Sequence, residues 1–460
     1  MKPVLLVDFG STYTKTVLAD TDEGKLLGTA SSFTTVQSDI NEGLANACAK
    51  LKEQTGVGEY AETYACSSAA GGLKMIAAGL VPELTVQAAK EASLGAGAKI
   101  MKTYSYQLTK SDVKEIDRLC PDIILLTGGT DGGNRESILH NAKRLSEMEK
   151  DIPIVAAGNR CCMEECEEIL HGRQVFLCEN VMPVLGKLNI LPAQKIIREL
   201  FLKKIVEGEG LTKAMELVSG IIMPTPSAIL EAMQLLSGGH GEEPGIGELM
   251  GIDLGGATTD VYSIAGGKPA SVKIVYKGLE EPYAKRTVEG DIGMRYSLRG
   301  IAEAVGTARI ASDAGLTQER TEELLSYLEE HKDVVPGDEE FLRLDDALAA
   351  AAVETASIRH AGTVEQVYTP MGETYVQSGK DLSEVKNIVL TGGALIYSDH
   401  VDRIGSYAMG NVRSPYSLRP KRARIWVDRK YILAAMGLLS RKYPETALGI
   451  MKREISYYGD

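Results

Sequence analysis

The sequence predicts an α/β protein built from two related lobes. With 460 residues, the chain exceeds the roughly 250–300 residues at which a single hydrophobic core stops growing. A strand-turn-strand pattern at the amino terminus recurs after residue 245, and such self-similarity indicates a duplicated unit. Between the two copies, strand and helix patterns alternate, which is typical of parallel sheet with helical crossovers.

The first copy is predicted to contain three strands followed by a helix. Val4–Val7 is an apolar run of strand length, Thr14–Ala19 is β-branched and follows a turn, and Leu26–Phe33 is a third strand candidate. Apolar residues at helical spacing then predict a helix over Asn41–Lys52.

The second copy repeats this order. Leu249–Leu254 predicts an apolar strand, a diglycine turn follows, and Thr259–Ile264 continues as a strand. Val272–Tyr276 is the candidate for the third strand, and Thr287–Val305 is the candidate for the helix.

The intervening region and the linker define the predicted domains. Buried-strand patterns occur at Ile123–Leu126, Pro153–Ala156 and Val175–Leu177. Ser237–Gly247 is rich in glycine and predicts a flexible hinge. We expect an amino-terminal lobe over 1–236 with an α/β insertion around 70–180, a hinge over 237–247, and a carboxy-terminal lobe over 248–460 with a helical insertion around 300–380.

Charge and composition exclude several classes of partner. The net charge of −13 opposes nonspecific binding to nucleic acid or to anionic membranes. No stretch approaches the ~20 apolar residues of a membrane helix. The seven cysteines follow no disulfide spacing, which favours a reducing cytoplasm, and the six scattered histidines predict no metal site.

The first candidate site is the turn after the first strand. Gly10 follows that strand directly, where a glycine lets backbone N–H groups approach phosphate oxygens. The hydroxyls of Ser11 and Thr12 add donors, and Lys15 can reach terminal phosphates. Asp8 cannot face a phosphate directly, so its natural partner is a hydrated Mg²⁺.

A second turn repeats this pattern. Its strand-ending aspartate, its glycines and its hydroxyl pair are Asp253, Gly255, Gly256, Thr258 and Thr259. Asp260 stands seven residues after Asp253, where the first turn has Lys15 seven residues after Asp8. Two such turns facing one polyphosphate would supply donors from both sides, and the two aspartates would share one metal ion.

A third motif places paired glycines at the end of a strand. In Ile388–Ala394, Gly392 and Gly393 follow the strand and precede a helix. Such glycines let a purine or ribose lie against the backbone, in the crevice where open α/β sheets usually bind ligands. Ile124–Thr130 is a near copy in the first half. A structural turn is the favoured reading there, and a nucleotide contact or a partner surface remains open.

This combination resembles the superfamily of actin, sugar kinases and heat-shock chaperone ATPases. The resemblance implies two ribonuclease H-like lobes with a nucleotide cleft between them, and ATP with Mg²⁺ as the bound ligands. It assigns metal binding to Asp8 and Asp253. Nucleotide contacts are implied for Gly10, Ser11, Thr12, Lys15, Gly255, Gly256, Thr258, Thr259, Gly392, Gly393 and Ala394.

One departure from the superfamily concerns catalysis. Pro224–Glu231 resembles the first connecting helix, and Lys430–Leu439 resembles the second. Met223 occupies the position of a chaperone glutamate that helps to place the attacking water. We therefore expect slow hydrolysis or another water-positioning group, for which Asp260 and Asp291 are the candidates, beside Asp8 and Asp253 as catalytic residues.

Longer runs resemble a narrower family. Cys66–Met75, Gly79–Thr85, Leu126–Asn134 and Glu289–Arg295 are similar to the MutL or GlmL family, the accessory proteins of coenzyme B12-dependent glutamate (methylaspartate) mutase. The resemblance implies a cytoplasmic reactivating chaperone whose ATP-driven lobe closure releases inactivated cobalamin from mutase subunits. It leaves open whether the chain forms a homodimer, and whether the region 97–180 contacts cobalamin.

Two other functional classes remain at this stage. The family is related to hydantoinase and oxoprolinase ATPases, so an ATP-dependent enzyme of that kind, or a small-molecule kinase, is the second hypothesis. A scaffold that binds ATP without hydrolysing it is the third. The first class is preferred because the long family runs favour it, and because the sequence contains no recognisable amidase triad or metal cluster.

Overall fold

The computed structural model describes residues 1–10, 13–33, 40–68, 73–94, 98–208, 222–269, 274–332, 334, 337–369 and 372–458. The chain divides into two compact units, one comprising Met1–Asp22 with Leu26–Ala228 and the other Glu23–Lys25 with Ile229–Asp460. Each unit contains its own sheets and helices, so the predicted α/β class is confirmed.

The first unit contains two sheets. Its strands are β1 (Pro3–Phe9), β2 (Tyr13–Asp20), β3 (Lys25–Phe33), β4 (Glu62–Ser67), β5 (Leu73–Gly79), β6 (Ala98–Ser105), β7 (Ile123–Leu126), β8 (Ile154–Ala156), β9 (Val175–Leu177) and β10 (Ile222–Pro224). One sheet has the order β10-β4-β1-β2-β3, with β1 antiparallel to β2 and parallel to β4.

The second sheet of this unit forms the α/β insertion and is entirely parallel. Its order is β6-β5-β7-β8-β9. Ile123 and Leu125 pack in the hydrophobic cluster on one face, whereas Ile124 and Leu126 pack in the cluster on the other face. Because both faces are covered, the strand is continuously apolar, which explains why these strands were visible in the sequence.

Seven helices of the described chain belong to this unit or begin in it. They are α1 (Ile40–Thr55), α2 (Pro82–Leu94), α3 (Lys110–Leu119), α4 (Glu136–Ser146), α5 (Met163–Ile169), α6 (Leu191–Gly208) and α7 (Thr225–Gly238). Helix α7 is the predicted first connecting helix, and the division between the two units falls inside it, after Ala228. The segment predicted as a hinge contains the end of α7 and a short hairpin, β11 (Gly239–His240) with β12 (Glu243–Pro244).

The second unit repeats the first sheet. Its remaining strands are β13 (Leu249–Leu254), β14 (Thr259–Ile264), β15 (Ile274–Lys277), β16 (Ala284–Glu289), β17 (Thr363–Thr369), β18 (Gly372–Ser378), β19 (Asn387–Thr391), β20 (Arg424–Val427) and β21 (Ser456–Tyr458). The main sheet has the order β16-β14-β13-β19-β20-β21, which is the first unit's order with one strand added. A separate sheet has the order β15-β18-β17.

Helices of the second unit pack around this sheet. They are α8 (Leu298–Val305), α9 (Thr307–Ala314), α10 (Gln318–Glu330), α11 (Glu339–His360), α12 (Gly393–Ile396), α13 (Val401–Ser406), α14 (Leu433–Ser440) and α15 (Pro444–Glu454). Helix α11 is the largest contributor of small buried residues, with a run of buried alanines and leucines against the sheet. Helix α14 lies where the second connecting helix was predicted.

Two local predictions for the second copy were wrong. The third strand of its main sheet is β16, not Val272–Tyr276, whose described part belongs to the separate sheet as β15. The predicted helix over Thr287–Val305 begins only at Leu298. Strand β16 was hidden because Lys285 and Arg286 are charged, yet both are buried and paired with carboxylates.

Two general features bear on function. Within the described ranges, no helix is both long and apolar enough to cross a membrane. The seven cysteines all lie in described residues and are free thiols.

Candidate functional site

The first turn joins β1 to β2 as a tight hairpin. Asp8 lies directly opposite Lys15 in the antiparallel register. The Gly10 N–H donates to the Tyr13 carbonyl oxygen at 3.1 Å, and a Cβ at position 10 would lie 2.6 Å from that oxygen. Glycine is therefore required to close this turn. Ser11 and Thr12 lie outside the described residues.

The second turn has the same geometry between β13 and β14. Asp253 lies opposite Asp260, and the Gly255 N–H donates to the Thr258 carbonyl oxygen at 3.0 Å. A Cβ at position 255 would lie 3.1 Å from that oxygen. The shared sequence spacing thus produces two hairpins with equivalent registers, each with an aspartate near the carboxyl end of the first strand of its sheet.

Asp8 is buried among groups that fix its carboxylate. The Thr225 hydroxyl donates to Asp8 Oδ1 at 2.5 Å, and the Cys66 thiol donates to the same oxygen at 3.5 Å. Lys15 Nζ lies 3.8 Å from Asp8 Oδ2. Burial raises the pKa of the Cys66 thiol well above its usual value, and the Asp8 carboxylate raises it further. Thr225 opens α7, so Asp8 connects the turn to this helix.

Met223 lies beside this site in the described structure. It is fully buried on β10, opposite Cys66 in the parallel register. A thioether cannot act as a general base, so the position does not supply the water-positioning carboxylate found in the chaperones.

Asp260 is held by a buried cation. Arg286 donates to Asp260 Oδ1 through Nε at 2.7 Å and lies within 2.6 Å of it through a second nitrogen. Both side chains are nearly excluded from solvent, at 9% and 12% exposure. Burial alone would lower the pKa of Arg286, but Asp260 and Tyr262 together outweigh burial and the pKa is raised. The geometry gives Asp260 an ion-pairing role, and its catalytic role stays a prediction.

The segment after β16 packs directly on the second turn. The N–H of Met294 donates to the Gly255 carbonyl at 3.1 Å, and those of Arg295 and Tyr296 donate to the Gly256 carbonyl at 2.8 Å each. The Thr259 hydroxyl donates to the Ile292 carbonyl at 2.9 Å, so this residue, which was predicted to contact the nucleotide, also holds the segment in place. The Glu289–Arg295 run therefore acts as a support for the turn.

Helix α11 anchors this support at both ends. Arg295 makes two hydrogen bonds to Asp345, at 2.9 and 3.0 Å, and Arg359 makes two to Asp291, at 2.7 and 2.9 Å. Hydrogen bonding from Arg359 lowers the pKa of Asp291. Burial raises the pKa of Asp345, against the opposing effect of Arg295.

The residues of these anchors were missed by sequence reasoning, apart from Asp291. The paired residues lie 50 and 68 positions apart, so no local periodicity connects them. The only available signal was Arg295 at the end of the Glu289–Arg295 run.

The third motif lies at the same edge of the sheet as the second turn. Strand β19 is parallel to β13, with Thr391 opposite Asp253. Gly392 has φ of 100°, and a Cβ there would lie 2.3 Å from the Leu254 carbonyl oxygen. Only glycine permits this approach. By contrast, a Cβ at Gly393 would meet nothing within 4 Å, so the backbone there is open.

The structure groups the predicted residues by unit. Asp8, Gly10 and Lys15 lie together in the first unit. In the second unit, the members brought to one sheet edge are Asp253, Gly255, Gly256, Thr258, Gly392, Gly393 and Ala394. Backbone amides at glycine turns and strand ends are suited to phosphate oxygens and to a nucleoside.

The donor set is also compatible with magnesium. Among the described residues, no group of three or more histidine, cysteine or carboxylate side chains could enclose a metal ion. Mg²⁺ usually keeps several waters and binds one or two carboxylates plus substrate phosphates. The carboxylates that fit this pattern are Asp253, which is partly exposed, and Asp8, whose Oδ1 already accepts from Thr225 and which would act through water.

Comparison with known proteins gives one family. The sequence profile of a family described as MutL protein matches residues 4–455. "Protein MutL" of Clostridium tetanomorphum is 47% identical over 460 residues, covering 98% of this chain and 99% of that protein.

Solved structures with low overall similarity were also found. Diol dehydratase-reactivating factor in nucleotide-free form is 12% identical, with a TM-score of 0.35 and coverage of 96% and 100% of the two chains. The activator of 2-hydroxyisocaproyl-CoA dehydratase from Clostridium difficile with bound ADPNP is 11% identical, with a TM-score of 0.33 and coverage of 100% of both chains.

Proposed function

Because the chain belongs to the MutL protein family, we propose that it is an ATP-binding accessory protein that reactivates an adenosylcobalamin-dependent mutase of the glutamate (methylaspartate) type. In this proposal, ATP binding and slow hydrolysis change the affinity for the mutase, and inactivated cofactor is released from it. The partner is the mutase, and the bound ligands are ATP and Mg²⁺.

The observation that carries the proposal is the duplicated turn. In two sheets that share the order of five strands, an aspartate lies two positions before the glycine that closes a hairpin, and the residue seven positions after the aspartate lies opposite it. A single aspartate-glycine turn is explained by turn chemistry alone. Two equivalent turns in duplicated units favour a shared ligand with several phosphates, because each turn supplies amide donors.

The proposed roles follow from this placement. Gly10, Ser11, Thr12 and Lys15 would contact phosphates in one unit, as would Gly255, Gly256, Thr258 and Thr259 in the other. Asp8 and Asp253 would hold hydrated Mg²⁺, which supplies charge neutralisation when bound. Gly392, Gly393 and Ala394 would support the adenosine.

Slow hydrolysis is part of the proposal. Met223 replaces the carboxylate that chaperones use, and Asp260 is engaged by Arg286. Asp291 is 55% exposed and has solvent access, although Arg359 also binds it. Asp291 is therefore the better candidate for orienting a water molecule, and a low basal rate is expected.

Phosphate release is the experiment that tests the function. We expect slow release by the protein alone and faster release in the presence of a B12-dependent glutamate mutase that carries inactivated cofactor. Turnover that depends on a cyclic amide or a sugar, with no effect of the mutase, would indicate the hydantoinase-like or kinase alternative. ATP binding without any phosphate release would indicate a scaffold and contradict the reactivation cycle.

Substitutions test the site itself. Asp8→Ala and Asp253→Ala should each weaken Mg-ATP binding by about 1.5–3 kcal/mol, the typical value of a charge-assisted hydrogen bond. Calorimetric titration of the full chain measures this loss. Asp402→Asn, on the exposed face of α13, is a matched control and should leave the affinity unchanged. Unchanged affinity in both alanine variants would contradict the assigned site.

A further inference from the structure

The insertion sheet has a strand order associated with ligand binding. Numbered from its first strand, β5, the order β6-β5-β7-β8-β9 reads 2-1-3-4-5. In doubly wound sheets of this order, ligands bind outside the carboxyl ends of the strands at the point where the order reverses, as FMN does in flavodoxin. That point lies here between β5 and β7, where two runs singled out in the sequence, Gly79–Thr85 and Leu126–Asn134, meet.

We propose that this carboxyl edge is a second binding site, for a phosphate-bearing ligand with a planar ring. Its residues all lie in the first unit and are not part of the two hairpin turns. The site is therefore independent of the proposed ATP site and of the proposed reactivation function.

The loop after β7 is a rigid glycine turn. Gly129 has φ of 71°, and a Cβ there would lie 2.1 Å from the Asn134 carbonyl oxygen. Asn159 is fully buried and holds the loop, since its Oδ1 accepts from the Gly132 N–H at 3.1 Å and its Nδ2 donates to the Gly133 carbonyl at 3.2 Å. The loop is thus held in place before any ligand binds.

Backbone donors of this loop are available. Asn159 N–H donates to the Gly128 carbonyl at 3.0 Å, and Asn180 Nδ2 donates to the Gly129 carbonyl at 3.0 Å. The amides of Gly128, Gly129 and Thr130 donate to no acceptor within the described part of the chain. Consecutive amides of this kind bind phosphate oxygens.

A buried hydroxyl provides a second, independent observation. A Cβ at Gly79 would lie 2.5 Å from Oγ1 of both Thr85 and Thr127, so these hydroxyls converge at the reversal point. Thr85 is only 4% exposed, and its hydroxyl has no hydrogen-bond partner among the residues that the structure describes. This hydroxyl can therefore donate a hydrogen bond to an oxygen atom of a ligand.

Tyr106 supplies the contact for a ring. It follows β6 with φ of 67°, a left-handed conformation that is unfavourable for a bulky residue, and its side chain is 62% exposed. The Leu80 carbonyl accepts from its N–H at 3.2 Å, and Asn141 Nδ2 donates to its carbonyl at 3.0 Å. Strands β6 and β7 flank β5, so at the usual strand spacing the backbone at the end of β6, which leads to Tyr106, lies roughly 10 Å from the end of β7, which leads to the glycine turn. This span is suited to a nucleotide-like ligand.

A cation and an anion also lie at this edge. Arg160, after β8, is exposed, and its guanidinium pairs with no carboxylate in the described residues. Asp131 is an acidic residue of the same loop, and its Oδ1 accepts from the Arg160 N–H at 3.1 Å and from Asn180 Nδ2 at 2.9 Å. These hydrogen bonds compensate part of its charge, and Arg160 can pair with a phosphate.

The test uses FMN and AMP as probes of the full-length protein. The proposed ATP site is first saturated with a non-hydrolysable ATP analogue, so that it does not compete. We expect at least one probe to bind, and to bind at least tenfold more tightly than riboflavin, adenosine or inorganic phosphate, which lack the phosphate or the ring. Absence of binding by both probes at millimolar concentration would overturn the proposal. Equal binding of inorganic phosphate would overturn the ring contact.

Variants locate the probe. Arg160→Ala should weaken probe binding by about tenfold. Arg118→Ala is the matched control, because Arg118 is exposed on the last turn of α3, which leads to the opposite, amino edge of the sheet. Thr85→Val with Thr127→Val should also reduce binding, and Arg160→Ala decides the question if that pair does not fold.

A negative result for the second binding site can be distinguished from a negative result for the proposed ATP-dependent function. Asp253→Ala should leave probe binding unchanged. Probe binding that is lost with Asp253→Ala but retained with Arg160→Ala would place the probe at the ATP turns and overturn the second site.

Discussion

The two hairpin turns share a register but differ in the charges around it. In the first, Asp8 lies opposite Lys15, whose ammonium group is 3.8 Å from the carboxylate and 24% exposed. In the second, Asp253 lies opposite Asp260, whose charge is neutralised by the buried Arg286. The first turn therefore keeps a partly exposed cation beside its aspartate, whereas the cation of the second turn is buried and joins β16 to β14.

This difference shows how duplicated units can divide their tasks. The backbone geometry of the turn is retained in both, since the Gly10 and Gly255 amides make the same hydrogen bond. The side chains opposite the aspartates differ, because Lys15 pairs with the aspartate of its own turn whereas Asp260 pairs with Arg286 on the neighbouring strand.

Removing the charge of Asp260 should destabilise the second unit strongly. Asp260→Asn leaves Arg286 buried without its counter-ion, which costs about 3–5 kcal/mol. Lys15→Met in the first unit should cost no more than about 1 kcal/mol, because Lys15 is partly exposed and its ion pair is long. Urea denaturation measures both. Equal losses of unfolding free energy in the two variants would contradict the different roles assigned to the two ion pairs.

Replacing Arg295 should lower the stability of the protein more than replacing another arginine of the same region. Arg295→Ala removes two hydrogen bonds to Asp345 and should cost about 1.5–3 kcal/mol of stability, with weaker ATP binding because the second turn loses its support. Arg299→Ala is the control, since Arg299 pairs with exposed carboxylates and should cost about 1 kcal/mol at most.

A conservative variant separates the effect of Arg295 on the second turn from its effect on the overall stability of the protein. Arg295→Lys keeps the charge but not the paired geometry, so it should recover part of the ATP affinity. Unaltered ATP affinity in Arg295→Ala, despite lower stability, would contradict a supporting role for the Glu289–Arg295 run.

Gly392 and Gly393 should respond differently to alanine. Gly392→Ala places a Cβ against the Leu254 carbonyl in a left-handed backbone conformation and should cost about 1–3 kcal/mol. Gly393→Ala meets open space and should change stability by less than about 0.5 kcal/mol. Thermal unfolding measures the pair, and similar melting temperatures would show that the close approach of β19 to β13 is not maintained.

Cys66 should be the slowest thiol to react. Its pKa is raised by burial and by Asp8, so at about pH 8 the folded protein holds little of the thiolate that reacts. The exposed Cys120 and Cys161 should be alkylated by iodoacetamide much faster. Asp8→Asn should increase the reactivity of Cys66 modestly, because it removes one of the two causes. Cys66 labelling as fast as Cys161 labelling in the folded protein would contradict the buried contact.

Sequence reasoning found the backbone features of the site but not its side-chain partners. The spacing from Asp8 to Lys15 and from Asp253 to Asp260 predicted two equivalent turns, and the registers confirm the equivalence. Strand β16 was missed because its charged residues hid a buried strand. The two anchors to α11 were missed because their members are far apart in sequence.

Asp260 illustrates what spacing cannot reveal. The sequence placed it seven residues after Asp253 and suggested that it positions a water molecule, whereas the structure shows Arg286 against it. Arg286 reaches Asp260 only because β16 pairs with β14, a pairing that the sequence pattern had assigned to other residues. Because the third strand was assigned to other residues, the sequence prediction also missed the buried cation beside Asp260. The catalytic role of Asp260 stays a prediction.

The α/β class, the duplication, the glycine turns and the family were all predictable from the sequence, because these features depend on apolar periodicity, short spacings and long shared runs. The identity of the polar partners came from the three-dimensional fold: Thr225 and Cys66 bind Asp8, Arg286 binds Asp260, and Asp345 binds Arg295. The physical reason is that hydrophobic patterning acts locally along a strand or helix, whereas buried charges are paired by strand order and helix packing across long sequence separations.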